Sequence, residues 1–204
     1  MTADLTALFA ARAEAEQAAV AARKAAQDAD RQLRDAGLAA FMAALAARVH
    51  VEGRGGARVI EFADFHRLPG DAPQRDNQLA DDELITAIEL PADHLARHSH
   101  YLKIRDRASY AFALVSVAAA LELDGDEIID ARLALGGVAH KPWRDRAVEA
   151  LLIGRTVSRE TFSAAADALL QDAEPLEHNG FKVKLARRAI IRALSDAAVA
   201  GEQP

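Results

Sequence analysis

The residue types that most often do chemistry in proteins are scarce or poorly clustered in this sequence. It contains no cysteine, which excludes disulfides, thiolate-held zinc, cysteine-ligated iron–sulfur clusters and cysteine nucleophiles. His94, His98 and His100 lie close together, but they straddle a predicted break between a helix and a strand. No carboxylate converges with them in the way that a metal site requires. The sequence therefore predicts no metal site.

The acids, serines and glycines also lack a catalytic arrangement. Asp64, Asp71 and Asp76 are spread along a stretch without regular structure, and none is paired for acid–base work. No serine lies in a nucleophile elbow. The glycine-rich turn at 53–56 lacks the Lys-Ser/Thr ending and the following helix of a phosphate-binding loop. We therefore predict that the chain has no catalytic residue of its own.

The most informative stretch is 101–144, which contains two apolar runs at 111–123 and 128–135. An Asp-Gly pair at the start of the link between them is a strong hairpin signal, because glycine tolerates the positive φ of a tight turn. We predict such a φ at Gly125. In the second run apolar and polar residues alternate, as in a strand with one wet face. The first run is too uniformly apolar to assign by periodicity, and its pairing partner favours a strand.

The second half of the chain is predicted to pack helices on this hairpin. Three C-terminal helices with apolar stripes are available to cover one face of an antiparallel sheet. Pro142 suits the first turn of a helix that runs to about Leu152, Ser158 can cap the next, and Gly180 opens the last. The predicted fold class is α+β. The predicted strands of the sheet are 99–107, 112–123 and 128–136.

The beginning of the chain, up to about residue 47, is predicted to be helical. Residues 3–36 are rich in alanine and contain neither proline nor glycine, and a second helical piece follows at 38–47. The long helix has few large apolar residues, so it packs loosely, pairs with another chain or frays. A hairpin around 53–56 and a strand at 84–90 come next. The predicted divisions of the chain are 1–47, 48–91 and 92–204.

Several motifs, in the right order, resemble the FAD-binding (medium) subunit of molybdenum hydroxylases. This family includes xanthine dehydrogenases, aldehyde oxidoreductases and carbon monoxide dehydrogenases, and the resemblance is nearest to the bacterial aldehyde oxidoreductase type. It covers about residues 45 to 198. The motifs are FADFHRLPGD at 62–71, DELITAIELP at 82–91, YLKIR at 101–105, SYAFALVSVAAA at 109–120, GGVAHKPWR at 136–144 and FKVKLA at 181–186.

The resemblance implies that FAD lies between an N-terminal FAD-binding domain and a C-terminal domain. It implies ring contacts from the backbone near Ile85 and from the side chains of Lys103 and Tyr110. A cation at the pyrimidine edge favours the reduced anion, a backbone donor can bond a ring oxygen, and an aromatic can cover one face until nicotinamide displaces it. Residues 48–91 would be the end of the FAD-binding domain, and 92–204 the CO-dehydrogenase-flavoprotein-like C-terminal domain.

The sequence departs from the family pattern in its glycines. Members seat the FAD pyrophosphate in Gly-Gly-Thr and Gly-Gly-Asn loops, whereas the paired glycines here are at 55–56 and 136–137, in other contexts. We therefore expect a truncated FAD subunit, whose family role is electron transfer from iron–sulfur clusters through FAD to an acceptor. Its implied partners are a molybdopterin-binding large subunit and an iron–sulfur small subunit. The alternative is a non-catalytic interaction module that docks on partner subunits.

Composition limits the other classes of function. The formal net charge of −6 shows no electrostatic footprint for nucleic acid. No apolar run approaches the roughly 20 residues of a membrane-spanning helix. The N-terminus lacks the basic start and long apolar core of an export signal, so the expected location is the cytoplasm.

Overall fold

The computed structural model describes residues 36–91, 95, 98–107 and 111–200. Within them lie two antiparallel sheets, ordered β2-β1-β3 and β4-β5-β6-β7, together with five helices. The predicted α+β class is confirmed, while the predicted long helix before residue 36 lies outside the described residues. In chain order the elements are α1 Ala36–Ala44, β1 Arg48–Gly53, β2 Gly56–Glu61, α2 Phe62–Phe65, β3 Leu84–Glu89, β4 His98–Ile104, β5 Val115–Asp124, β6 Glu127–Gly136, β7 Trp143–Arg144, α3 Arg146–Leu152, α4 Arg159–Leu169 and α5 Phe181–Ala200.

The hairpin of β5 and β6 is the centre of the second sheet. Asp124 pairs with Glu127 across the turn, and Gly125 has φ +58°, so both the hairpin and its positive φ are confirmed. The predicted strand ends at 105–107 and 112–114 were wrong. The chain leaves the sheet after β4 and rejoins it at β5, although Leu114 N still donates to the Ile104 carbonyl oxygen at 2.8 Å. At 112–114 the apolar run misled the assignment, because apolar side chains continue beyond the paired backbone.

The three C-terminal helices cover one face of the second sheet, as predicted. Leu102 and Ile104 of β4 face them, together with alternate residues of β5 and β6. The start of α3 differs from the prediction. Pro142 precedes the short strand β7 instead of opening the helix, and Asp145 caps α3 by accepting a 2.8 Å hydrogen bond from Ala147 N. Ser158 caps α4 as expected.

Helix α1 covers the opposite face of the second sheet, which sequence analysis had left bare. Ala40, Ala43 and Ala44 are buried in one cluster with Ala118 of β5 and Ala134 of β6. Small side chains on both partners allow the helix backbone to approach the sheet closely. The same cluster includes side chains of β1 and α2, so α1 joins the first sheet to the second. β5 is therefore buried on both faces, which explains why its apolar residues do not alternate with polar ones.

Candidate functional site

Ile85 lies beside an irregularity in the first sheet. Val51 pairs with Ile85 and His50 with Ala87, which leaves Thr86 as an extra residue in β3. This β-bulge lets Ile85 and Ile88 both pack against the buried cluster around α1, although strict alternation would place residues three apart on opposite faces. The Thr86 hydroxyl donates to the His50 carbonyl oxygen at 3.2 Å and holds the bulge.

The backbone of β3 is available to a ligand. β3 is an edge strand of the first sheet within the described residues. Half of its N–H and C=O groups therefore point away from β1, and the bulge disturbs the pairing of the others. A backbone donor near Ile85, as the resemblance implies, is compatible with this geometry.

Lys103 lies on the face of the second sheet that α1 also contacts. Its neighbours Leu102 and Ile104 face the C-terminal helices, so Lys103 faces the other way and is half-buried. Tyr101, two residues earlier on the same face, packs against the cluster that also receives Ile85. The structure therefore brings Ile85 and the Lys103 face of β4 to one junction between the sheets. Tyr110 lies outside the described residues.

A buried serine beside Lys103 was missed by sequence analysis. Ser116 is fully buried in β5 and pairs with Lys103 on one side and with Gly136 of β6 on the other. Side chains of paired residues project to the same face of an antiparallel sheet. The signal was present in the sequence, since Ser116 is the one hydroxyl in the otherwise apolar stretch 112–121.

The loop after β6 approaches the chain before β5 very closely. Gly137 has φ +75°, and a Cβ atom there would lie 2.8 Å from the Ala113 carbonyl oxygen. Lys182 of α5 donates from Nζ to the Gly137 carbonyl oxygen at 3.0 Å. Gly137 therefore lies where the loop, the last helix and the segment that leads into β5 contact one another.

An ion pair fixes α1 against the second sheet. Arg144 of β7 donates to both carboxylate oxygens of Glu149, at 2.7 and 2.9 Å, and also to the Ala43 carbonyl oxygen at the end of α1. Glu149 Oε1 also accepts from Leu133 N at 2.8 Å. The side chains of Arg144 and Glu149 are 10% and 7% exposed, so the pair is largely shielded from water. It connects α1, β6, β7 and α3.

Two carboxylates in the first sheet have lowered pKa values. The Arg58 side chain, together with the backbone N–H of Ala80, lowers the pKa of Glu83 to about 2. Hydrogen bonding from His50 is the largest cause of the lowered pKa of Glu89. Both carboxylates are therefore paired with cations or donors and are not poised for proton transfer near neutral pH.

The Glu83 ion pair predicts a pH-dependent stability. Glu83→Gln should lower the free energy of unfolding at pH 7 by about 1–2 kcal/mol, since a charge-assisted bidentate contact with Arg58 is lost. Because the folded-state pKa lies below that of the unfolded chain, the contribution is present above about pH 4.3 and is lost as the pH falls to about 2. Urea unfolding between pH 2 and 7 measures it. Glu52→Gln, at an exposed carboxylate of β1, is the control. A difference that does not vary with pH would contradict the prediction.

Of the three histidines that lie close together in the sequence, His98 and His100 are within the described residues. No group of three or more His, Asp or Glu residues there could hold a metal ion. His98 contacts the Ala198 carbonyl oxygen, and His100 lies 3.5 Å from Asp196, so both pack against α5. His94 lies outside the described residues. No helix in the described part of the chain is long and apolar enough to cross a membrane.

Two family models match almost the whole chain. The model of the FAD binding domain in molybdopterin dehydrogenase matches residues 10–93, and the model of the CO dehydrogenase flavoprotein C-terminal domain matches residues 100–197. The first match begins well before residue 45, where the motifs had placed the start of the resemblance. These matches define the class of protein, a flavoprotein subunit of a molybdenum-dependent oxidoreductase.

Curated relatives and solved structures agree with this class. The chain is 45% identical over 143 residues to the aldehyde oxidoreductase FAD-binding subunit PaoB of Escherichia coli (strain K12), covering 70% of this chain and 42% of PaoB. It is 31% identical to the glyceraldehyde dehydrogenase medium chain of Sulfolobus acidocaldarius, covering 76% of this chain and 52% of that protein. A structure of carbon monoxide dehydrogenase from Hydrogenophaga pseudoflava has a TM-score of 0.69 at 26% identity and covers 81% of this chain and 56% of that one. Quinoline 2-oxidoreductase from Pseudomonas putida 86 shares the fold, with a TM-score of 0.72 at 23% identity, over 83% of this chain and 58% of that one.

The chain belongs to the family of FAD-binding subunits of molybdenum hydroxylases. FAD is the cofactor of this family. The chain spans about half the length of the curated relatives it matches.

Proposed function

We propose that this chain supplies the ring side of a flavin site in a molybdenum hydroxylase. Its role would be that of the family, electron transfer from iron–sulfur clusters through FAD to an acceptor. The partners in this proposal are a molybdopterin-binding large subunit and an iron–sulfur small subunit, in the cytoplasm. The observation that carries the proposal is the junction of the two sheets, where the Ile85 bulge and the Lys103 face of β4 meet at one cluster.

The residues at this junction are suited to contact the flavin ring of FAD, but not its pyrophosphate. The outer edge of β3 offers backbone donors near Ile85, and Lys103 offers a cation on a strand position paired with the buried Ser116. FAD would supply one- and two-electron redox chemistry there. Lys103 would stabilise negative charge on the pyrimidine edge, the β3 backbone would orient the ring, and Tyr110 would cover one of its faces. The sequence has no Gly-Gly-Thr or Gly-Gly-Asn loop for the pyrophosphate.

The second candidate is an interaction module without redox activity. The observation that favours it is the same lack of pyrophosphate loops, since a dinucleotide draws much of its affinity from backbone N–H groups at such loops. In this case the sheet and helices would serve only to dock on partner subunits. The two candidates differ in whether any flavin contacts the Lys103 face.

We expect the chain to bind the flavin ring weakly and without preference for the dinucleotide. FMN and FAD should bind with similar dissociation constants, about 1 mM. Both contain the ring, and the pyrophosphate that only FAD carries finds no glycine-rich loop to bind it. Titration of isotopically labelled protein, followed by NMR, should shift the backbone amides of β3 and β4. Lys103→Met should weaken binding of both ligands about 3- to 10-fold, whereas Lys184→Met, at an exposed lysine of α5, should not.

The outcomes separate the two candidates. Binding of FAD more than tenfold tighter than FMN would show that this chain does seat the pyrophosphate. The absence of amide shifts in β3 and β4 with either flavin would reject the ring-side role and favour the interaction module. Shifts that persist unchanged in Lys103→Met would remove that lysine from the proposal.

A further inference from the structure

A basic cavity, distinct from the junction of Ile85 and Lys103, lies between α1, α2 and the second sheet. Its volume is about 120 Å³. Lys141, Arg144 and Arg146 line it on one side, and Phe62, Ala63 and Pro142 contribute an apolar wall. None of the described residues that line it carries a carboxylate. Such a concentration of cations is unexpected in a chain whose formal net charge is −6.

Two of the three cations have no ion-pair partner within the part of the chain that the structure describes. Arg144 forms the ion pair with Glu149, whereas Lys141 and Arg146 are exposed and make no hydrogen bond or ion pair within the described residues. The adjacent carboxylate, Asp145, does not line the cavity and accepts instead from Ala147 N at the start of α3. Two like charges at one concave site repel each other, and a bound anion removes that repulsion.

The size and position of the cavity indicate what it can hold. Its volume of about 120 Å³ leaves room for a tetrahedral oxyanion with one or two waters. β7 is three strands from β4, so Arg144 lies about 14 Å across the sheet from Lys103. The cavity is therefore separate from the proposed ring site.

We propose that this cavity binds a phosphate-type dianion. Lys141 and Arg146 would contact its oxygens, and Arg144, held in place by Glu149 and the Ala43 carbonyl, would form a rigid wall of the site. Guanidinium groups match the spacing of phosphate oxygens and ammonium groups add charge. The anion could be free phosphate or the terminal phosphate of a nucleotide, which present the same oxygens to the site.

The test is thermal unfolding in inorganic phosphate, compared with sodium chloride at the same ionic strength. At a phosphate concentration about ten times the dissociation constant, the melting temperature should rise by about 3–5 °C. The double variant Lys141→Gln/Arg146→Gln should lose this rise. The matched control is Lys184→Gln/Arg188→Gln, which removes two exposed cations from one face of α5 and should retain it.

A parallel series with ADP identifies the source of the anion. A rise that depends on Lys141 and Arg146 with both phosphate and ADP supports a site for the free anion. A dependent rise with ADP alone supports the terminal phosphate of a nucleotide. Equal rises in both double variants, or no rise beyond that in chloride with either ligand, would overturn the proposal. None of these outcomes depends on flavin binding, which is measured at β3 and β4.

Discussion

Glu149→Gln is expected to lower the free energy of unfolding by about 3–5 kcal/mol, because it leaves the shielded guanidinium of Arg144 without its counter-ion. Glutamine retains an oxygen that can accept from Leu133 N, but its amide group would face the Arg144 donors. Urea unfolding at pH 7 measures the change. Glu174→Gln, at an exposed loop carboxylate, should alter stability by less than about 0.5 kcal/mol.

The loss of stability in Glu149→Gln should be greatest in the elements that the ion pair connects. Arg144 also donates to the Ala43 carbonyl oxygen, so hydrogen exchange in α1 should accelerate more than exchange in α4. Removing both partners, in Arg144→Met/Glu149→Leu, should restore part of the stability because no unpaired charge remains. About 1–3 kcal/mol should still be missing, since Leu133 N would have no acceptor. A double variant as unstable as Glu149→Gln would contradict this account of the pair.

Gly137→Ala is expected to cost about 2–4 kcal/mol, well above an ordinary glycine substitution in a loop. A methyl group there meets both a φ of +75° and the Ala113 carbonyl oxygen at 2.8 Å. Relief of the contact would require a shift either of the backbone that leads into β5 or of the Gly137 loop, whose carbonyl oxygen accepts from Lys182. Denaturant unfolding measures the cost.

Gly125→Ala is the matched control for this prediction. Gly125 has φ +58°, but its added Cβ would have no heavy atom within 4 Å. Its cost should therefore be that of the backbone conformation alone, about 1–2 kcal/mol. Equal losses in the two variants would mean that the Ala113 contact relaxes freely and that only the φ of Gly137 matters.

Local signals in the sequence were sufficient for the centre of the fold. The Asp-Gly pair at 124–125 predicted the hairpin and its positive φ, because turn geometry depends on a few adjacent residues. The cap at Ser158 and the apolar stripes of the last helices were found for the same reason. The motifs of the second half also identified the family, and with it FAD as the cofactor that the comparisons support.

Other features depended on contacts between residues distant in sequence. The extra residue Thr86 is visible only in the pairing of β3 with β1. The burial of Ser116 opposite Lys103 required the register of three strands. Arg144 and Glu149 are only five residues apart, but the contact of Arg144 with the Ala43 carbonyl oxygen joins residues 101 positions apart. No local pattern encodes these approaches.

The sequence by itself determined the α+β class and the absence of cysteine chemistry, because composition, turn residues and periodicity are local properties of the chain. It also pointed to the family, through the resemblance of its motifs. Only the tertiary structure decided that α1 covers the second face of the β5–β6 hairpin. Alanines carry little hydrophobic signal in a sequence, yet on a helix and a sheet that face each other they allow close packing. The tertiary structure likewise decided that Lys141 and Arg146 share one cavity with α2, since that cavity exists only where separate elements meet.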